Sequence, residues 1–456
     1  MHSEPYLLDP SADGVHVLWH TSAPATGAVL LGDGRRVEAT SSALVALHDD
    51  DGVRATVHRH WADVRGLGAG RTPYRVVSVL DEGATRESDT YSLAPAVPAG
   101  DPVRLLLTSD HQLWRMTPAN LAKVAETVGV ELDGVLFAGD MVGVPARASD
   151  WFENPNGRGF FAGLTGRADT EIAGRRYRGA PLLQHAPLFP AIGNHEVMGQ
   201  RHHTLQERFD DPAPSGWDTA AYEELFPVPR GPAGSRWWSR TVGDVFVVSL
   251  FVTRAWQDAV ATYLEPGQFL FERVDAGSAQ HTWLAGELGS AAARAARFRV
   301  VIFHHASHSL GAHVVPPYTD PVPAGGRFAY PIENDVVLRD LAPLFGTAGV
   351  DLVLNGHNHL WNRFRDAAGV NWLESSNVGN SYGAFPERGD PGGLAPVLPT
   401  VAPLTDPAGT PLPYVADDDV TVFSVLDSAA GAVRSYRFDT RDPDGPVVLF
   451  DELRLD

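Results

Sequence analysis

Five apolar runs of strand length each end in a short polar cluster, and no other feature limits the possible folds of this chain as strongly. Val103–Thr108 leads into Ser109-Asp110-His111-Gln112, and Val135–Ala138 into Gly139-Asp140. Leu188–Ile192 leads into Gly193-Asn194-His195-Glu196, Phe298–Phe303 into His304-His305, and Val350–Leu354 into Gly356-His357-Asn358-His359. Runs of this kind predict buried strands. Open α/β sheets place their sites at the carboxyl ends of strands. The shared placement therefore predicts that five distant segments meet in one site.

Helical segments such as Pro118–Thr127 and Gln280–Ala296 alternate with these runs, which is the α/β signature. Residues up to about 98 read differently. Val15, Val17 and Trp19 alternate with His16, Leu18 and His20, and Asp49-Asp50-Asp51-Gly52 marks a turn. Thr72–Val79 reads as another strand, so a small all-β sandwich is expected here. Ala94–Asp101 reads as a linker, giving units at 1–98 and 102–456. A chain of 456 residues is in any case too long for one core. Pro145–Ala186, Gly311–Gly326 and Asn380–Asp419 read as loop-rich insertions, either lids and substrate walls or surface decoration.

The 36 basic and 56 acidic side chains leave a net charge of −20. Such a surface disfavours nucleic acid and anionic lipid as partners. A phosphate substrate needs local positive charge, which bound metal ions supply. Cysteine is absent, so thiolate sites and disulfides are excluded. No apolar stretch approaches the roughly 20 residues of a membrane helix. The amino-terminal residues lack a signal-peptide pattern. The expectation is a cytoplasmic protein, or a secreted one whose leader has been removed.

The clusters supply carboxylates, an amide and imidazoles, the ligands of a divalent or trivalent metal. Asp140 is the candidate carboxylate bridging two ions, with Asp110 on the first and Asn194 and His304 on the second. His357 and His359, two residues apart on an extended segment, point the same way and take one ion each. His195, followed by the carboxylate of Glu196, is the candidate proton donor to a leaving oxygen.

In this order the clusters resemble those of the calcineurin-like metallophosphoesterases, and among them the purple acid phosphatases. Tyr222–Pro229, Trp237-Trp238-Ser239, Gln280–Leu284 and His359–Arg363 are similar to further segments of that family, and Leu67…Thr72-Pro73-Tyr74 resembles a strand of its fibronectin-III-like domain. The resemblance implies a four-layer α/β sandwich of two mixed sheets flanked by helices, preceded by the small β-sandwich. It implies two divalent or mixed-valence metal ions (Fe, Mn or Zn). It further implies hydrolysis of small-molecule phosphate esters by a metal-activated water, with His195 assisting the leaving group. Two departures stand out. Gly143 occupies the place of the purple enzymes' tyrosinate, so their colour is expected to be absent. Gln112 stands where many relatives carry a histidine, and is expected to ligate through its carbonyl oxygen. A phosphomonoester is the favoured substrate, with His305, His308 and Arg363 as candidates to receive its second charge. The alternatives are a phosphodiesterase of the same fold and a metal-dependent binding protein without catalysis.

Overall fold

The computed structural model describes residues 3–153, 156–197, 218–227, 231–232, 234–256, 268–270, 272–311, 322–324, 327–329, 331–384 and 396–455. The expected insertion at Gly311–Gly326 lies outside the described residues except for Gly311 and 322–324.

Each of the five apolar runs forms a strand buried on both faces, and the alternation of side chains shows why. In Arg104–Thr108, Leu105 and Leu107 enter one core and Leu106 another. In Gly134–Phe137 and the residue after it, Leu136 and Ala138 join the first of these cores while Val135 and Phe137 face away. In Phe298–His305, Val300 and Ile302 meet that same core, and Val301 and Phe303 enter a third. Leu352–Gly356 divides likewise, Leu352 and Leu354 against Val353. A strand with a core on each side needs no polar face, so its sequence is continuously apolar.

The shared core lies between two sheets. One has ten strands, in the order Val448–Arg454, Ala432–Asp439, Val420–Asp427, Arg104–Thr108, Gly134–Phe137, Leu188–Pro190, Tyr6–Ser11, Gly14–Thr21, His58–Val64, Thr40–Ala43. The other has seven: Trp238–Val242, Val245–Ser249, Phe298–His305, Leu352–Gly356, Asn371–Ser375, Trp361–Arg365 and Tyr414–Val415. Helix Thr117–Val128 covers the outer face of the first through Leu121 and Val124. Helices Ala279–Leu288 and Ala342–Ala348 cover the outer face of the second through Leu284, Leu288 and Phe345. The result is the expected four-layer sandwich of two mixed sheets.

Residues up to Leu93 add strands to the ten-stranded sheet and a five-stranded sheet over it, with Val17, Trp19, Val29, Tyr74 and Val76 between them. This is the expected small sandwich, but its hydrogen bonding is continuous with the rest. Tyr6–Ser11 runs parallel to Leu188–Pro190, with Leu8 opposite Leu188. Tyr6 also donates its hydroxyl to the carbonyl of Leu225 at 2.8 Å.

The stretch Pro145–Ala186 is not decoration. Helices Ala148–Trp151 and Phe160–Leu164 bury Trp151, Phe160 and Phe161 against Tyr6 and Phe137. Its polar composition hides a few aromatic anchors at irregular spacing, which no periodic pattern signals.

The division into units 1–98 and 102–456 is a proposal that truncation tests. Tyr6, Leu8 and Leu18 are fully buried in the core shared with the later residues. At roughly 2 kcal/mol for each such side chain, removal of residues 1–98 is expected to lower stability by at least about 5 kcal/mol in urea unfolding. A truncated chain as stable as the full one contradicts this.

Candidate metal centre

All five polar clusters lie at one edge of the sandwich, and five of their ligand candidates share an unusual backbone. Asp110 (φ 58°), Gln112 (φ 38°), Asp140 (φ 59°), His357 (φ 84°) and His359 (φ 56°) have positive φ. A residue with a side chain costs on the order of 1–3 kcal/mol in such a conformation, and persists there only when its surroundings hold it. Here the hold is visible. Glu196 is buried and receives three backbone N–H groups, from Asp140, Met141 and Gly193, each at 2.7 Å. Glu374 is buried beneath the His357–His359 loop and accepts from Asn358 N (2.8 Å), Ser309 Oγ (2.8 Å) and Ser376 Oγ (3.0 Å). The Asp110 carboxylate accepts from His357 N at 3.1 and 3.0 Å, tying the first cluster to the fifth. Two glycines permit the crowding. A Cβ on Gly193 collides with Asp140 Oδ1, and one on Gly356 with Ser109 Oγ and Asp110 Oδ2.

The side chains converge. Asp110, Asp140 and His304 present ligand atoms within 4.8 Å of one another, as do His304, His305 and His357. His304 Nε2 lies 3.2 Å from Asp140 Oδ2 and 3.1 Å from Asn194 Oδ1. His359 Nε2 lies 3.3 Å from Asp110 Oδ1, and His357 Nδ1 lies 3.1 Å from Asn194 Oδ1. The tautomers of His304 and His359 follow from their other nitrogens. His304 Nδ1 faces the carbonyl of Ala138 at 2.8 Å, and His359 Nδ1 faces that of Asn380 at 3.0 Å. A carbonyl only accepts, so both Nδ1 atoms carry the proton. Each Nε2 then turns a lone pair toward a carboxylate oxygen. Acceptor faces acceptor, and only a shared proton or a cation can stand between them.

The proton affinities express the same demand. Burial works to lower that of His304, but the charges of Asp140 and Asp110 outweigh it and raise its pKa to about 10. Burial works to raise that of Asp140, but the charges of His304 and His195 hold its carboxyl below the usual range. Burial and the neighbouring Asp140 charge push Glu196 up to about 8. Lone pairs backed by second hydrogen bonds are the usual preparation of a metal site, and the donor set fits divalent ions that take nitrogen and oxygen.

His195 stands beside the cluster. Its backbone N–H donates to Asp140 Oδ1 at 2.8 Å, and its Nδ1 donates to the carbonyl of Gly143 at 2.8 Å. Its Nε2 faces Asp140 Oδ2 at 4.0 Å, and the side chain is 28% exposed. The carboxylate expected behind the ring is not there. Glu196 serves backbone amides, and the carbonyl of Gly143 orients the imidazole instead.

Four other expectations are corrected. Gln112 is not turned to ligate. Its Nε2 donates to Asp140 Oδ2 at 2.8 Å, and its Oε1 accepts from the indole of Trp114 at 3.0 Å. An indole N–H only donates, so the oxygen must face Trp114 and the amide nitrogen, which has no lone pair to offer, faces the cluster. His305 is fully buried with its ring centroid 4.0 Å from that of His357, so it belongs to the cluster and not to an exposed substrate face. His308 packs against Trp372 (4.8 Å) and Phe364 (5.7 Å) in the outer core, where burial lowers its pKa to about 3. Arg363 is buried and held by Asp451 through two bonds of 2.9 and 3.0 Å. It follows Trp361, which packs between the sheets, and alternation gives both the same face.

Sequence reasoning missed Glu374, Asn380 and Trp114. The one available signal was Glu374, a glutamate directly after the largely apolar run Val370–Leu373. Asn380 gives its carbonyl to His359 and its amide to the carbonyl of Asp110 at 3.0 Å.

Known proteins bear on the fold. No protein-family model matches the sequence. Two uncharacterised proteins, from two strains of Mycobacterium tuberculosis, are 27% identical over 316 residues, or 65% of this chain. The chain spans about half the length of these curated relatives, the match covering 49% of each. Among solved structures, a purple acid phosphatase from yellow lupin (Lupinus luteus) seeds superposes with a TM-score of 0.64 at 15% identity, over 99% of this chain and 74% of that one. The fold is that of a metallophosphoesterase of the purple acid phosphatase type.

Gln112→Ala is expected to leave the number of bound metal ions unchanged and their dissociation constants within about 10-fold, the scale of a lost outer hydrogen bond. Loss of one ion in elemental analysis restores ligation. Glu196→Gln sets an amide against three N–H donors. It is expected to cost about 2–4 kcal/mol in urea unfolding, with one charge-assisted bond contributing roughly 1.5–3 kcal/mol. An unchanged midpoint overturns the pinning role.

Proposed function

We propose that the chain is a metal-dependent hydrolase of phosphate esters. The observation that carries this reading is the set of imidazole lone pairs aimed at carboxylate oxygens, with an accessible His195 at the rim. Asp110, Asp140 and His359 would hold one ion, and Asn194, His304 and His357 with Asp140 would hold a second, with His305 packed beside His357. Such ions would supply positive charge for the phosphoryl oxygens and would acidify a water.

The chain's own residues do the rest. Asp140 is fixed by the N–H of His195 on one oxygen and by Gln112 on the other, so its position does not depend on substrate. The Gly143 carbonyl holds the proton of His195 on Nδ1 and leaves Nε2 for the reaction. In the protonated imidazole Nε2 also carries hydrogen. Water attacks phosphorus in line, the P–O bond to the alcohol breaks, and the departing oxygen takes that hydrogen. The neutral imidazole then recovers a proton from solvent through its exposed edge. A binding protein without catalysis has no use for a histidine oriented in this way.

A phosphomonoester remains the first substrate to assay, and residues 1–98 are read as a fibronectin-III-like unit. Of the three side chains expected to meet a monoester's second charge, His305 lies within the cluster, while His308 is buried in the outer core and Arg363 is held on Asp451.

The test is turnover of aryl phosphate monoesters and diesters after chelation and reloading with Mn, Zn, Fe or Co. Activity is expected only in reloaded protein. His195→Ala is expected to lower kcat by about 10²- to 10⁴-fold, the usual share of a positioned acid, with metal content unchanged. The loss should be larger for alkyl than for aryl esters, whose alcohols leave without help. Absence of turnover with every metal on both ester types refutes the reading.

A further inference from the structure

Away from the metal centre, the core between the two sheets opens at one edge into a cavity of about 610 Å³. Small-molecule sites have volumes of roughly 300–1,000 Å³. The lining combines Val415 of the seven-stranded sheet, Val420 and Val448 of the ten-stranded sheet, and Leu404 and Leu412 of a short hairpin. Leu404 and Val415 belong to the core between the sheets, and Leu412 and Val420 pack against it. The apolar interior thus continues to the surface.

Arg437 lines the same cavity. It lies opposite Val422 on the neighbouring antiparallel strand, and residues so paired share a face. Val422 faces the core between the sheets, as does Val433, four residues before Arg437 on its own strand. Arg437 is therefore on the inner face as well. A charge in that position calls for a partner. Arg363, on the facing sheet, has one in Asp451. Arg437 makes no hydrogen bond and no ion pair among the described residues, and burial lowers its pKa with no carboxylate to offset it. Two aspartates at the mouth are committed elsewhere. Arg441 holds both oxygens of Asp439, at 2.9 and 2.8 Å, and reaches Asp417 at 3.1 Å. The Arg437 guanidinium is thus partly withdrawn from water without an acceptor in return, which costs free energy. A ligand anion supplies the missing acceptors. Asp442 adds negative charge to the mouth, which favours a singly charged anion over a phosphate dianion.

We propose that this cavity is a binding site, separate from the metal centre, for a small monocarboxylate with an apolar body, its carboxylate on Arg437 and its body on Leu404, Leu412, Val415, Val420 and Val448. Guanidinium and carboxylate match in two parallel hydrogen bonds. Two sources share this chemistry, an alkyl acid and an aryl acid. Neither depends on the phosphoesterase reading.

Full-length metal-loaded protein is titrated calorimetrically with octanoate and 4-phenylbutanoate, and with the uncharged amide of each. An acid that fits is expected to bind about 10-fold more tightly than its amide, the scale of one charge-assisted pair. Arg437→Gln should remove that preference, and Arg437→Lys, which keeps the charge, should retain part of it. A preference confined to octanoate assigns the alkyl acid, and one confined to 4-phenylbutanoate the aryl acid. Absence of any preference for acid over amide overturns the proposal. So does a preference that survives Arg437→Gln, which places the acid on the metals instead. Arg437→Met separates receptor from scaffold. With no partner to lose, it is expected to leave the urea midpoint unchanged or raised. A lowered midpoint makes the guanidinium a structural group and overturns the proposal.

Discussion

Acceptor groups forced to face one another out of water are the constraint from which the rest of this molecule follows. Asp110 and Asp140 are buried at 0% and 1% exposure, and imidazole nitrogens with their lone pairs inward close on both. Without a proton or a cation between them these groups repel, and burial makes the repulsion stronger because the medium screens less. The backbone must hold them together against that force, and it does so in strained form. The left-handed stretches are bound down by carboxyl groups that accept main-chain N–H groups, Glu196 from Asp140 and Gly193, Glu374 from Asn358 between the two histidines, and Asp110 from His357.

Such a device needs a stiff frame, and the two-sheet sandwich supplies one. Strands buried on both faces have no freedom to slide, since a shift by one residue would exchange the contents of two cores. Their ends are therefore fixed points, and the left-handed turns at those ends inherit the precision. The amino-terminal strands belong to the same frame. Tyr6–Ser11 pairs with Leu188–Pro190, the strand that delivers Asn194 and His195.

Much of this was legible in the sequence because it depends on local order. A continuous apolar run followed by a glycine and a polar pair states strand, turn and ligand in one reading, as in Leu136-Phe137-Ala138-Gly139-Asp140. What stayed hidden depends on which partner a side chain meets across the fold. Arg363 follows the fifth cluster closely, but its strand turns it to Asp451, almost ninety residues away in the chain. His308 sits three residues after His305, yet the chain carries it past the sheet edge into the outer core. Gln112 is correctly placed and wrongly oriented in the reading, because Trp114, two residues on, decides which end of its amide faces inward. Pro145–Ala186 reads as loop because its apolar anchors, Trp151, Phe160 and Phe161, follow no period.

The Trp114–Gln112–Asp140 chain also shows how the centre and its surroundings are coupled. The indole fixes the amide, the amide fixes one oxygen of Asp140, and the backbone of His195 fixes the other. An aromatic ring at the solvent edge thereby sets the orientation of the carboxylate shared by the two proposed ions. Asn380 makes the matching link on the opposite side, joining His359 and Asp110 to the segment that carries Tyr382. The groups at the edge of the cluster are thus the same groups that hold the ligand candidates still, and Trp114, at that edge, carries a hydrogen bond into the carboxylate network.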